Sequence, residues 1–110
     1  MKKKKMKKSN PDPGIVRACD LENPLDWYAL TERSSAILND LIAYTGRETF
    51  WEQQKDNPDQ QRIDALWRLF KEIDKINRNV DNFRCANRMK KIIDEYGPKL
   101  KKVNMGGQLV

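Results

Sequence analysis

The chain has 110 residues, 38% apolar and 35% charged, with two cysteines, no histidine and a formal charge of +6. That length carries one domain with a single modest core, and the absence of histidine removes the commonest general base and the commonest metal ligand. No run approaches the roughly 18 apolar residues of a membrane-spanning helix, so no membrane partner is expected.

The charge is unevenly placed. Residues 1–8 carry six lysines and no acid, and the remaining 16 basic and 16 acidic residues cancel. Residues 20–59 hold nine acids against three bases, whereas residues 84–102 hold seven bases against two acids. The folded part is therefore expected to be acidic early and basic late.

Residues 1–14 read as a disordered lysine-rich arm, because Lys2, Lys3, Lys4, Lys5, Lys7 and Lys8 repel one another and Pro11, Asp12, Pro13 and Gly14 disfavour regular structure. Such an arm is either a solvated tail or an electrostatic clamp on phosphates. Residues 15–21 are short and partly apolar, a candidate strap over the core. Asn23-Pro24 then offers a helix cap and an imide at the first helical position, and Gly46 a stop, which predicts a first main helix over 24–45. Within it Trp27, Leu30, Ser34, Ile37, Leu41 and Tyr44 recur at alternating steps of three and four, one helical face, widened by Leu38 and Ile42. Residues 47–56 read as a short helix or turn whose Phe50 and Trp51 close one end of the core; the functional alternative is an exposed aromatic anchor for another protein.

Asn57-Pro58 offers a helix cap and a first helical residue, Gly97-Pro98 a left-handed stop, and the two bracket 38 residues without Gly or Pro. One unbroken helix of that length would span roughly 57 Å, too long for so small a domain. Ile63, Leu66, Phe70, Ile73, Asn77 and Val80 form a stripe matching that of the first helix, but the apolar residues continue as Phe83, Ala86, Met89, Ile93 and Tyr96, turned by roughly 180° at about 100° per residue. Asn77, Asn79, Asn82 and Asn87 crowd the changeover, and Asn is a weak helix former that readily caps a new start, so a break or bend is expected near residues 79–82. Lys99, Lys101 and Lys102 follow as a second basic cluster, and residues 103–110 read as a flexible tail.

The predicted architecture is all-α: a small helical bundle with two main antiparallel helices, the break near residues 79–82, an arm over 1–14, a single helical domain over 15–102 and a tail over 103–110. A connection over 46–57 would set Tyr44 beside Ile63, Leu41 beside Leu66, Ile37 beside Phe70, Ser34 beside Ile73, Leu30 beside Asn77 and Trp27 beside Val80. Ser34 and Asn77 would then share a buried polar contact in the seam.

Catalytic motifs are missing. Cys19 and Cys85 make no metal-knuckle spacing, and there is no Gly-rich phosphate loop and no nucleophilic Ser elbow. Asp56 with Asp59 and Asp94 with Glu95 read as solvent-facing charge, and Asp64 with Arg68 and Asp74 with Arg78 as helix-supporting pairs. No catalysis, metal or cofactor is expected. The lysines lead into a polar stretch with no apolar leader, which favours reduced thiols and a cytoplasmic location. The reading is a non-catalytic binding protein associated with nucleic acid through the arm, through Arg84, Arg88 and Lys91 on the late helix, and through Lys99, Lys101 and Lys102, contacting the backbone without sequence preference and within a larger complex. The alternative is a protein interaction module, an adaptor, inhibitor or self-associating helical dimer in which the lysines do nothing specific.

Overall fold

The computed structural model describes residues 24–110; the arm and the strap expected before them lie outside the described residues. Among the described residues are three α-helices, α1 Pro24–Gln53, α2 Gln60–Arg78 and α3 Ala86–Asn104, with a one-turn 3-10 helix Val80–Phe83 between the last two. The all-α bundle is as expected, with three helices in place of two main ones.

The first correction concerns Gly46. It does not end α1, which runs on to Gln53 and absorbs most of the short element expected over 47–56. Gly in a helix interior costs only about 1 kcal/mol relative to Ala, and the good helix formers that follow it outweigh that. The connection is therefore 54–59, and the cap of α2 is Asp59, not Asn57: its Oδ1 accepts from the backbone N–H groups of Gln61 at 3.0 Å and Arg62 at 3.3 Å.

Moving the turn moves the register. α2 is antiparallel to α1, but Asn77 donates to Asn39 at 3.0 Å, nine positions along α1 from the Leu30 expected opposite it, a displacement of ~13 Å along the axis. At the other end Arg62 reaches Glu48 at 3.1 Å and Glu52 at 3.5 Å. The Ser34–Asn77 seam contact does not form. Ser34 is buried, but its hydroxyl donates back to the Leu30 carbonyl of its own helix at 2.7 Å. Trp27 and Val80, the ends of the two expected stripes, are exposed.

The break falls where the asparagines predicted it. Asn79 ends α2 and its Oδ1 accepts from Asp81 N–H at 3.0 Å, while Asn82 Nδ2 donates to the Ile76 carbonyl at 2.9 Å, so two side chains bond the backbone groups that the interruption frees. Beyond it α3 folds back parallel to α1: Thr31 donates to the Met89 sulfur at 3.4 Å near one end, and Leu109 N–H to the Tyr44 hydroxyl at 3.3 Å near the other. Ile37, Leu38 and Leu41 of α1, Ile73 of α2, and Ile92 and Tyr96 of α3 form one buried cluster. Fully burying a Leu such as Leu38 or Leu41 contributes about 1.5–3 kcal/mol. α1 is the spine that touches both of the others.

Gly97-Pro98 does not stop α3, which continues to Asn104 with Pro98 inside it. A residue before proline normally avoids the helical region because its Cβ and N–H meet the proline ring; Gly97 has no Cβ, so the pair lets the helix through. The stop is Gly106, at φ 90°. Its N–H bonds the Val103 carbonyl at 3.0 Å and the Gly107 N–H bonds the Lys102 carbonyl at 2.8 Å, the two bonds of a Schellman motif. The last residues, expected as a flexible tail, lie against the bundle: Leu109 packs on the core and the Val110 carbonyl accepts from Arg62 Nε at 3.2 Å. Cys85, expected as a reduced thiol, is in a disulfide; Cys19, the other cysteine of the sequence, lies outside the described residues.

Candidate nucleic-acid interface

The apolar residues of α3, Ala86, Met89, Ile92 and Tyr96, are buried against the bundle. At about 100° per residue that leaves the opposite half of the helix to Arg88, Lys90, Lys91, Lys101 and Lys102, with Asp94 and Glu95 as the only acids between them. Arg88, Lys90, Lys91, Lys101 and Lys102 are exposed, and none is ion-paired among the described residues. From Arg88 to Lys102 the face extends ~21 Å, about six phosphate spacings of one strand. Lys99 is half-buried, with its Nζ 4.9 Å from the centre of the Tyr96 ring.

The residues singled out in the sequence are only partly brought together. Arg88, Lys91, Lys101 and Lys102 share the solvent half of α3. Arg84 does not belong to that helix: it caps the 3-10 turn and reaches Asp81 at 3.4 Å, so the expected Arg84–Arg88–Lys91 column is broken by the new helix start at Cys85. Lys2, Lys3, Lys4, Lys5, Lys7 and Lys8 lie outside the described residues. Lys90, which the step pattern left aside, lies on the same solvent half.

Charged groups also gather where α1 turns into α2, but they are committed to one another. Glu52 is 2% exposed; its Oε2 accepts from Asp59 N–H at 2.9 Å, and its Oε1 from Lys55 Nζ at 3.0 Å and Arg62 at 3.5 Å. The Asp59 N–H first, and Lys55 after it, hold the Glu52 carboxyl below the usual carboxylate range. With three bonds from the turn and from α2 made to one buried carboxylate, this cluster is a staple for the turn. No cluster of His, Cys, Asp or Glu able to hold a metal occurs among the described residues. Tyr96 donates to Glu72 across the α2–α3 seam, and burial, with that bond second, pushes its hydroxyl well above its ordinary range.

A set of aromatics is exposed, which for Phe50 and Trp51 is the alternative the sequence left open. Phe50 and Trp51, expected to be buried, are 54% and 59% exposed, because α1 continues through Gly46 and keeps them off the side on which Tyr44, Thr45 and Glu52 are buried. Trp67 is 53% exposed and stacks on Phe70 with ring centres 5.2 Å apart. Phe50, Trp67 and Phe70 border an open groove of about 310 Å³ between α1 and α2, floored by Ile42, Thr45 and Leu66. Their exposure depends on the register of α1 with α2, which no local pattern contains. No helix among the described residues is long and apolar enough to cross a membrane. Comparison with protein-family models, curated proteins and solved structures returns no match.

Proposed function

We propose that this is a non-catalytic helical binding protein that contacts nucleic acid backbone through the solvent face of α3, with the lysine arm as a second contact. The observation that carries the reading is the set of five exposed cations along one side of one helix, unneutralised by any described residue. Keeping like charges side by side costs stability, and an anionic partner relieves it through counterion release. Contacts of this kind position a backbone and carry no sequence information. Lysine and arginine at an exposed helix face also complement the dipole of α3 near its C-terminus, but only Lys101 and Lys102 are placed in the last turn to do so.

The test is fluorescence anisotropy with labelled duplex and single-stranded probes, DNA and RNA, at low salt. Binding that weakens steeply with salt and is lost in Arg88→Glu/Lys91→Glu/Lys102→Glu supports the proposal. No binding to any probe at low salt defeats it. The alternative, a protein interaction module, is favoured by a separate observation: Phe50, Trp51 and Trp67 stand exposed, and large aromatics are the side chains most enriched at protein hot spots. A cytoplasmic location is part of the same proposal, and the Cys85 disulfide weighs against it, since disulfides persist mainly in oxidising compartments. Alkylation of thiols in intact source cells decides between them: two blocked cysteines accord with the cytoplasm, none with an oxidising compartment.

A further inference from the structure

The outer side of α1 combines small residues with charges. Opposite its buried side lie Ala29, Ala36, Ala43 and Phe50, all exposed, with Glu32, Asn39 and Gly46 beside them on one flank. Ala29, Ala36, Ala43 and Phe50 recur at a seven-residue spacing, which drifts only ~20° per repeat and therefore makes a straight seam for a second helix. Along one flank of the seam a second column has the same spacing and alternates in sign: Asp26, Arg33, Asp40, Arg47. No ion pair uses any of the four among the described residues.

We propose that this face of α1 is the interface with a second copy of the chain, the two α1 helices packing antiparallel about a two-fold axis near Ala36. The alternating column selects both occupant and direction. In an antiparallel symmetric pair, residues on one flank meet residues of the same flank in the other copy. A single register then sets Asp26 against Arg47 of the second copy and Arg33 against Asp40 of the second copy, each contact occurring twice. The same register stacks Ala36 on Ala36 and Ala29 on Ala43, where small side chains permit close approach of the backbones. It also brings Tyr28, 58% exposed, opposite Gly46 of the second copy, at the mouth of the groove bordered by Phe50, Trp67 and Phe70. A parallel pair would instead set each charged flank against the other flank of its partner, leaving the column without complement.

The experiment is sedimentation equilibrium of the full chain across a concentration series, with helicity followed by circular dichroism. The expected mass is twice the 13.0 kDa of the chain. Ala36→Glu/Ala43→Glu, both at exposed positions, is expected to give the monomer mass with unchanged helicity. Arg33→Asp is expected to weaken the dimer severalfold, and Arg33→Asp/Asp40→Arg to restore it, because the double variant inverts both partners of the pair. A chain that stays monomeric at every concentration overturns the proposal. So does a dimer indifferent to the two glutamates, which would mean that another surface associates or that the chain's own first 23 residues cover this face. A dimer weakened by Arg33→Asp and not restored by the double variant rejects the antiparallel register.

Discussion

Replacing Pro98 by Ala is expected to stabilise the protein. Pro98 lies inside α3, where it cannot donate to the Asp94 carbonyl and its ring crowds the preceding turn; the full cost of proline in a helix interior is about 3 kcal/mol relative to Ala. The side chain is exposed, so little packing is lost with the ring, and a gain of about 1–3 kcal/mol follows. Gly97 makes the argument sharper. A methyl group there would sit 3.8 Å from Ile37 Cδ1, ordinary contact, so Ala is worth about 1 kcal/mol of helix propensity provided that nothing else obstructs it. What obstructs it is the ring of Pro98, which meets a Cβ on the preceding residue.

The two substitutions should therefore couple. Gly97→Ala alone is expected to be neutral or destabilising, Pro98→Ala stabilising, and the double variant more stable than either by about a further 1 kcal/mol. Urea denaturation followed by circular dichroism measures the three differences, and each kcal/mol corresponds to a shift of about 4–8 °C in Tm for a domain of this size. Lower stability in Pro98→Ala, or strict additivity of the pair, would mean that the helix ends at Gly97 and would refute the argument.

Asp59→Ala removes the acceptor for two N–H groups at the start of α2 and is expected to cost about 1 kcal/mol in the same denaturation assay, with Asp59→Asn recovering most of it. Gly106→Ala places a Cβ at positive φ and is expected to destabilise by about 1 kcal/mol, visible as faster amide exchange in residues 101–110. Because the Glu52 carboxyl is held below its unfolded-state value of 4.5, its contribution is complete above that pH and is lost as pH falls through the lower folded value; Glu52→Gln should flatten the acid limb of a stability–pH profile. Tyr96 has the opposite sign: its contribution is complete below the unfolded value of 10.0 and disappears as pH rises through the higher folded one, so Tyr96→Phe should remove the latest step of an ultraviolet titration and leave Tyr28, which its hydrogen bond to Glu32 also raises. For nucleic acid, five exposed cations on α3 set a log–log salt slope of about −4.5 on duplex DNA in a chain lacking residues 1–8, and the six arm lysines should steepen it in the full chain; equal slopes would show that the arm takes no part.

What could be read from the sequence was whatever one or two residues decide by themselves. The break after Arg78 was legible because Asn79 and Asn82 act through their own side chains on backbone groups a few residues away. The stops were not, because Gly carries two meanings. Gly46 and Gly97 are helical, and only Gly106 takes the left-handed conformation that ends a helix. The distinguishing mark was present, since a Gly-Gly pair after a good helical run provides both residues of a Schellman stop, but a glycine followed by proline looks equally like a stop until the missing Cβ is weighed against the ring behind it.

The site divides along the same line. A basic face confined to one helix is a matter of periodicity, so Arg88 and Lys91 could be put on one face; Lys101 and Lys102, expected as a separate cluster beyond a stop, join them because α3 runs on to Asn104, while Lys99 lies against Tyr96 and Arg84 lies across the break. The aromatic groove required knowing which residue of α1 faces which residue of α2. That register was derived from the length of α1, and one misread glycine shifted it by nine positions at Asn77. The shift carried Phe50 and Trp51 from the expected core to the surface. The outer side of α1 carries no continuous apolar stripe: its alanines favour any helix and its charges resemble an ordinary solvated face, so periodicity alone does not mark it. Once α1 is known to run 30 residues as the spine, its outer side needs a physical account that propensity does not supply, and the sign pattern of Asp26, Arg33, Asp40 and Arg47 supplies one.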